Sequence, residues 1–336
     1  MTLSATFCTF SWLVRDTFRQ ARAGGILWIL LAISTLAIVV CASASIEGEV
    51  PLAAPGETPD FLPRNDPDAS DPAKLKSSGV VVASGQLRLA FGMVRIPLNR
   101  DSQSAVHFLE LILAGGVADT LGLLLTLIWT AGFLPGFLDT RAITVLLAKP
   151  VPRWFLLIGK YIGVLTFVFA NATLFVVGTW LAIGVRTGVW DTAYLYTIVL
   201  LVLHFAMFFS VSTLLAVWFR STVVCVFGSI VFWLLAWSIN YGRHALLVAS
   251  DALSPDGFSS GMAWLTDLVY WVMPKPADMS LLLSHSLSAD AHFSQLFDFA
   301  KLSASGFSIT LSIASSLLFT LAVLTMSARR LAATDY

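Results

Sequence analysis

The stretch FLPGFLDTRAITVLLAKPVPRWFLLIGK, from Phe133 to Lys160, lies between two long apolar runs and is unusually basic for this chain. Its middle, Thr140 to Ala148, contains neither proline nor glycine, so it can form about two turns of helix. Pro150 and Pro152 end that helix, because proline lacks the N–H donor and clashes with the preceding turn. The pattern predicts a short helix held between two spans at one face of a membrane.

Composition places the rest of the chain in a lipid bilayer. Its 336 residues are 57% hydrophobic and only 12% charged, about half the charged fraction of a typical soluble domain. The mean hydropathy is +0.83. The formal net charge of zero gives no indication of nucleic-acid binding. Cys8, Cys41 and Cys225 have neither metal-binding spacing nor an evident disulfide partner.

Six apolar segments are long enough to be transmembrane helices. They are Ile26–Ser43, Ala118–Phe137, Tyr161–Ile183, Ala193–Trp218, Ser221–Asn240 and Phe307–Met326. Phe219 and Arg220 form a very tight connection between the fourth and fifth segments. The triplet at 42–44 also resembles a signal-peptidase site, but the long aromatic lead-in favours an uncleaved anchor over a cleaved signal peptide. The predicted fold class is an all-α integral membrane protein.

Residues 1–24 precede the first span and combine aromatic with basic side chains. Arg15, Arg19 and Arg22 are three to four positions apart and therefore share one face of a helix. This pattern predicts an amphipathic helix lying in the membrane interface, with a plain charged lead-in as the alternative.

Two long segments separate the spans, at 44–117 and 241–306. The first segment begins with a proline-rich part. The part that follows, from Gly79 to Leu98, is predicted to form a short β-hairpin that turns at Ser84-Gly85. Residues 101–117 are predicted to form a helix at the outer surface or a re-entrant piece, because they are too short to span. In the second segment, the residues from Met262 to Met273 are aromatic and are predicted to lie in the outer interface.

Basic residues in the short flanks predict the orientation. With six spans they all fall on one side: Arg15, Arg19, Arg22, Arg141, Lys149, Arg153, Lys160, Arg220, Arg329 and Arg330. The positive-inside rule makes this side cytoplasmic. Both termini, including the tail at 329–336, are therefore predicted to be cytoplasmic in a cell (inner or plasma) membrane. Five or seven spans would divide the basic residues between the two sides.

Nucleotide-binding motifs are missing from the sequence. It contains no G-x-x-x-x-G-K-[ST] phosphate-binding loop, so we predict that the chain is not an enzyme. We also predict no cofactor and no metal. His107 and Glu110 are spaced i, i+3 and could share a helical face as ligands. With no other ligand pair nearby in sequence, a hydrated interfacial face is favoured.

A few polar or small residues lie within the predicted spans. His204 is in the middle of the fourth span, where an ionisable group is a functional candidate; a neutral histidine bonded to a carbonyl is the alternative. Asp119 is predicted to be hydrated at the outer end of the second span. Asn171 is expected to make an interhelical hydrogen bond. Gly159 and Gly163 form a G-x-x-x-G that permits close helix contact.

The basic stretch resembles the signature of permease subunits of type-2 ATP-binding-cassette (ABC) transporters. In that family an acidic residue and a glycine precede an LLxxPxxR core, and GK opens the third span. The matching residues here are Leu146, Leu147, Pro150, Arg153, Gly159 and Lys160, with Asp139 at the acidic position. Thr140 and Arg141 stand where the family has its glycine. The lead-in, the six spans and the tight fourth–fifth connection are also similar, so the resemblance covers most of the chain.

The resemblance implies a transporter subunit without its own motor. It implies a coupling helix at 139–150 that docks on a separate ATPase subunit. It also implies a second permease copy or related chain, and export driven by ATP hydrolysis. The implied docking residues are Asp139, Arg141, Leu146, Leu147, Lys149, Pro150 and Arg153. Membrane anchoring explains the basic residues equally well.

Two other functions remain open at this level. One is a membrane anchor or assembly factor whose outer loops bind an envelope partner. The other is an ion-coupled transporter that uses His204, although such transporters usually have inverted repeats and several buried charges.

Overall fold

The chain is a multi-pass helical membrane protein. The computed structural model describes residues 3–47, 85–98, 102–138, 152–249, 260–287 and 308–333. Among these residues, five helices are long and apolar enough to cross a bilayer, and a bent pair at 9–42 brings the number to six if it counts as one span. The five helices are Ala105–Phe137, Arg153–Thr187, Thr192–Phe219, Thr222–Ala245 and Ile309–Ala332.

The bent pair consists of α1 (Leu3–Ala23) and α2 (Ile26–Ala42). Gly25 begins α2 with φ at 76°, a left-handed conformation that glycine adopts without strain. The angle between the two helices is 76°. α1 is therefore nearly perpendicular to α2, as expected for a helix that lies along a membrane surface.

α1 is amphipathic, as the sequence predicts. Leu13 and Ala21 are completely buried on one face, while Arg15, Arg19 and Arg22 are exposed on the other. The apolar face packs against the helix that follows the basic stretch.

A small antiparallel sheet lies between the first and second membrane helices in sequence. It contains β1 (Ser45–Glu47), β2 (Gly85–Leu89) and β3 (Val94–Leu98), in that order. The predicted hairpin is confirmed, but its predicted turn at Ser84-Gly85 is wrong. Gly85 begins β2, and the chain reverses at 90–93, where three successive residues have positive φ. Positive φ at a hairpin turn matches the twist of the flanking strands.

The second membrane helix begins much earlier than the sequence predicts. α3 (Ser102–Leu111) runs directly into a π-helical segment (Ile112–Gly122), which continues as α4 (Leu123–Thr130) and the short α5 (Phe133–Phe137). The prediction of a separate outer or re-entrant piece at 101–117 is wrong, because the π-helical segment carries the backbone through Gly115 and Gly116 without a break. Asp119 therefore lies near the middle of this helix and not at its end.

The remaining helices include the four later predicted spans, although their ends differ from the predicted ends. They are α6 (Arg153–Thr187), a 3-10 turn (Thr192–Tyr196), α7 (Thr197–Phe219), α8 (Thr222–Ala249), α9 (Ser260–Val272), α10 (Pro276–Ser286) and α11 (Ile309–Ala332). The tight connection between α7 and α8 is confirmed: Arg220 ends α7 with φ at 52°. Helix α10 was not predicted.

Helices α6 and α7 are antiparallel neighbours at the centre of the bundle. Tyr161 near the start of α6 donates to the carbonyl of Ala206 on α7, and Thr179 further along α6 contacts Tyr194 before α7. We call the end where α6 and α8 begin the basic end, and the other end the opposite end. Each end has its own apolar core, and α7 is the most buried of the five candidate spans.

The G-x-x-x-G of α6 permits a close contact within the chain, with α1. A methyl group on Gly159 would overlap the Leu13 side chain. One on Gly163 would lie 2.9 Å from Thr17 Oγ1 and 3.4 Å from the Leu13 carbonyl oxygen. Glycine at these two positions therefore lets the backbones of α1 and α6 approach each other.

We expect Gly163→Leu to destabilise the protein by about 1–3 kcal/mol, because the larger side chain must push α1 away from α6. The measurement is thermal unfolding of the purified chain in detergent. Gly242→Leu is the matched control, since a side chain there has open space within 4 Å. Equal melting temperatures for the two variants would contradict the close contact.

Candidate functional site

Lys160 lies inside the basic end and has no exposed surface. Its Nζ donates to Asp16 Oδ2 and to Gln20 Oε1, each at 2.9 Å. The ammonium also faces the rings of Phe133 and Phe137, 6.0 and 5.6 Å from their centroids. We call these five residues the Lys160 clamp. Lys160 is one of the basic residues that predict the orientation, and inside the bundle its charge is compensated by α1.

The Lys160 clamp brings together both flanks of the basic stretch. Phe133 and Phe137 belong to α5, which leads into residues 139–151, and Lys160 belongs to α6, which follows them. Pro152 is extended, with φ at −65° and ψ at 140°, and caps α6 at Arg153. That Pro150 and Pro152 end a helix at Thr140 to Ala148 stays a prediction, because this helix lies outside the described residues.

Most of the predicted docking residues lie outside the described residues. These are Asp139, Arg141, Leu146, Leu147, Lys149 and Pro150. Arg153 is described and is half-buried in the first turn of α6. The predicted coupling helix therefore stays a prediction, whereas the geometry of its two flanks is known.

Asp119 and His204 form a buried pair near the middle of the bundle. His204 Nδ1 is 2.5 Å from Asp119 Oδ1, and Ser280 Oγ donates to Asp119 Oδ2 at 2.9 Å. Asp119 is 5% exposed and His204 2%. The prediction of a hydrated Asp119 is wrong, and His204 bonds a carboxylate and not the backbone carbonyl of the alternative. Among the described residues, His204 Nε2 has no hydrogen-bond partner.

This pair can hold a proton at a defined place in the apolar interior. A carboxylate that accepts from an imidazole and a hydroxyl is compensated locally, which lowers the cost of burying its charge. Ionisable groups at this depth mark functional positions by default. The pair also ties three segments together, because Asp119 is on the π-helical segment, His204 on α7 and Ser280 on α10.

Asn171 lines a cleft between α2, the π-helical segment, α6 and α7. Its amide donates to the carbonyl of Phe167 at 2.8 Å, within α6, and not to another helix as the sequence predicts. Apart from Asn171, the cleft wall includes Ser34 and Thr126 as polar residues. The cleft has a volume of about 90 Å³, well below the roughly 300–1,000 Å³ of small-molecule sites.

Asp278 is the centre of a second buried network, at the opposite end. Its Oδ1 contacts His244 Nε2 at 2.6 Å. Its Oδ2 accepts from Tyr270 Oη at 2.6 Å and from Ser312 Oγ. Burial raises the pKa of Tyr270, and the charge of Asp278 raises it further. This network joins α8, α9, α10 and α11.

Lys275 lies beside this network and has no exposed surface. Its Nζ donates to Ser315 Oγ and lies 4.6 and 4.9 Å from the ring centroids of Tyr270 and Trp271. Burial lowers the pKa of Lys275 to about 8, against the opposing charge of Asp278. The buried ammonium is therefore supported by aromatic rings and a hydroxyl.

His107 and Glu110 are also buried, at 8% and 1% exposure. The prediction of a hydrated face is wrong, because the turn between α6 and α7 covers them and adds Asp191. His107 Nδ1 is 3.6 Å from Glu110 Oε2 and 3.5 Å from Asp191 Oδ2. The three side chains could hold a metal ion, since their ligand atoms lie within 4.8 Å of one another.

Several residues of these centres were missed by sequence reasoning. Pro276 at the first helical position and Asp278 in the first turn are helix-start signals that could have predicted α10. No local signal indicates that Asp16 pairs with Lys160, because 144 positions separate them.

No protein-family model matches the chain, and no curated protein matches it either. The resemblance of the basic stretch to the ABC permease signature therefore remains a prediction, and the function is inferred from the chain's own residues.

We expect a double-mutant cycle to show that Asp119 and His204 act as a pair. Asp119→Leu or His204→Leu alone should destabilise the protein by about 3 kcal/mol, because each leaves a buried polar partner without compensation. The loss of stability in the double variant should be much smaller than the sum of the losses in the two single variants. Chemical denaturation in detergent measures the coupling.

Asn171→Leu is the control for this cycle, since among the described residues its amide donates within α6, and we expect a change in the free energy of unfolding below about 1 kcal/mol. Additive effects of Asp119→Leu and His204→Leu would contradict the pairing.

We expect Lys275→Met to remove a pH-dependent part of the stability. The folded pKa of about 8 is below the ordinary 10.5, so between these pH values the unfolded chain binds more protons than the folded chain. The contribution of Lys275 to stability therefore rises with pH in this window. Between pH 8 and pH 10.5 the melting temperature should rise more for the wild type than for Lys275→Met. The same dependence of melting temperature on pH in both proteins would contradict the lowered pKa of Lys275.

Proposed function

We propose that this chain is the membrane-spanning permease subunit of an ABC transporter. A separate ATPase subunit docks on a coupling helix at residues 139–150, and ATP hydrolysis drives export through a path shared by two permease subunits. The observation that carries this proposal is the Lys160 clamp, which holds both flanks of the basic stretch that resembles the family signature.

A docking element in such a transporter must pass movement to the spans as well as bind its partner. Residues 139–151 leave α5 and return at α6, and the Lys160 clamp ties both helices to α1. A push on this segment therefore acts on a braced group of helices. α6 continues as a single helix from Arg153 to Thr187, so it can carry a displacement from the basic end to the opposite end.

The motor must be a separate chain in this proposal. The sequence contains no phosphate-binding loop for a nucleotide. Arg141, Lys149 and Arg153 give the docking segment a positive charge that acidic groups on an ATPase can complement. Such pairs contribute register and association rate more than affinity.

The substrate path is proposed to lie between two copies of the chain. The cleft that Asn171 lines is too small for a drug-sized ligand by itself. A second permease subunit placed against this side of the bundle would enlarge it. The orientation in this proposal puts the basic end, both termini and the ATPase on the cytoplasmic side of the inner or plasma membrane.

The Asp119–His204 pair favours ion-coupled transport as a second candidate function. Several buried ionisable groups are typical of transporters driven by ions, and the described part of the chain contains Asp119, His204, Glu110 and Asp278 within or beside its candidate spans. In this case a proton moving on and off the pair would drive transport without an ATPase.

We expect Arg153→Glu to reduce the amount of ATPase that co-purifies with the tagged chain by about tenfold or more, because it places a negative charge at the docking segment. Insertion of a proline at Val145 should do the same by breaking the coupling helix. The measurement is affinity purification from native membranes, followed by mass spectrometry of the partner and an ATPase assay.

Arg329→Glu is the matched control, since it makes the same charge change at an exposed position of the same end. This control should keep the partner. Undiminished ATPase in the Arg153 and Val145 variants would reject the docking segment. Transport that needs no ATPase, follows a proton gradient and is lost in Asp119→Asn would support ion coupling in place of ATP-driven transport.

A further inference from the structure

We propose that His107, Glu110 and Asp191 bind one first-row divalent transition-metal ion at the opposite end of the bundle. This inference is independent of the proposed function. It concerns three side chains that converge from α3 and from the turn between α6 and α7.

The unsatisfied carboxylate of Glu110 points to a ligand. Glu110 is 1% exposed, and neither of its oxygens accepts a hydrogen bond from a described residue. Its one ion-pair contact in this part of the chain is with His107, at 3.6 Å. A buried carboxylate without hydrogen bonds is costly unless a charge or a metal compensates it.

The distances fit a metal better than they fit direct hydrogen bonds. Protein nitrogen and oxygen ligands lie about 2.0–2.2 Å from zinc, so two ligands of a tetrahedral site are about 3.4 Å apart. His107 Nδ1 is 3.6 Å from Glu110 Oε2 and 3.5 Å from Asp191 Oδ2. Both separations exceed the usual hydrogen-bond range and are close to the spacing of two ligands on one ion.

Asp191 is held in place by a backbone N–H of the turn and by an indole of α6. Its Oδ1 accepts from the backbone N–H of Ala193 at 2.8 Å, which leaves Oδ2 toward His107. Its carbonyl oxygen accepts from Trp180 Nε1 at 2.8 Å. Such outer contacts orient a ligand before the ion arrives.

The donor set selects the class of metal. Two carboxylates and one imidazole together carry a charge near −2 that a divalent ion neutralises. Imidazole suits zinc, iron, cobalt and nickel more than magnesium or calcium, which prefer oxygen ligands alone. Three protein ligands leave further positions for water, and the side chain of Asp191, at 16% exposure, provides the accessible side.

The ion would join the second half of α3 to the turn between α6 and α7. These elements otherwise meet through apolar contacts of the opposite-end core, which includes Val106, Leu109 and Tyr194. Because the ion binds only the folded arrangement, it should raise the melting temperature, and above the dissociation constant this rise should follow the logarithm of the free metal concentration.

The test uses the full chain, purified in detergent and stripped with a chelator. Bound zinc is measured by elemental analysis after desalting from buffered free Zn²⁺, with Mg²⁺ in a parallel titration. We expect about one zinc per chain, and a reduction of tenfold or more in His107→Ala, Glu110→Gln and Asp191→Asn at the same free zinc. The zinc-dependent rise in melting temperature should disappear in the same variants.

The matched controls are His285→Ala and Asp267→Asn, which remove an exposed imidazole and an exposed carboxylate. Both should keep the bound zinc. Glu110→Gln preserves side-chain shape, so its loss of zinc is not a folding defect if its gel-filtration profile is unchanged. The visible absorption spectrum of the wild type loaded with Co²⁺ is a second readout. It should have the intense bands of cobalt with four or five ligands. The proposal would be overturned if no zinc bound, or if the control variants lost as much zinc as the ligand variants. A cobalt spectrum like that of six-coordinate aqueous Co²⁺ would also overturn it.

Discussion

The burial of the Lys160 ammonium is the constraint on which the basic end depends. A charge without exposed surface needs compensation, and here Asp16 and Gln20 of α1 provide it, together with two phenylalanine rings of α5. The requirement fixes the position of α1 against α6, and Gly159 and Gly163 make that position sterically possible. The consequence is a braced group of three helices around the segment that connects α5 to α6.

The same requirement explains the polar centres elsewhere in the bundle. Each buried ionisable group described above is matched by groups on other elements, as Asp119 is by His204 and Ser280, and Asp278 by His244 and Tyr270. Helices in lipid gain little from apolar contact with one another, so polar contacts and close packing specify how they associate. Glu110 is the exception, because its oxygens accept no hydrogen bond from the described residues, and this exception is what distinguishes it as a candidate ligand.

Hydropathy predicts most of the fold because a span must satisfy its own backbone in lipid. Each of the helices α6, α7, α8 and α11 overlaps one predicted span. The bend at Gly25 between α1 and α2 was not predicted. Helix ends were predicted less well. α6 continues to Thr187 and ends where Gly188 adopts a left-handed conformation, and the second membrane helix passes through Gly115 and Gly116 in π-helical geometry. Asp119 was misplaced for that reason.

The polar centres could be predicted only in part, because they form between distant positions. His204 stands out within an apolar run, but its partner on another helix is 85 positions away. Asp191 joins His107 and Glu110 only when the turn before α7 packs on α3. The i, i+3 spacing correctly placed His107 and Glu110 side by side, but their predicted hydrated environment was wrong, since both are buried. The Lys160 clamp has the same origin, since no local pattern links α1 to the start of α6.

The proposed contact between the coupling helix and a separate ATPase is tested most directly by photo-crosslinking from position 145 in native membranes. A photoreactive residue placed at Val145 in the coupling segment should crosslink to a partner that contains a nucleotide-binding loop, and the crosslink should weaken when Lys160→Met removes the clamp at the basic end. Three results would contradict the account. They are crosslinking to lipid alone, crosslinking to a protein without that loop, and crosslinking to a partner on the membrane face at the opposite end of the bundle.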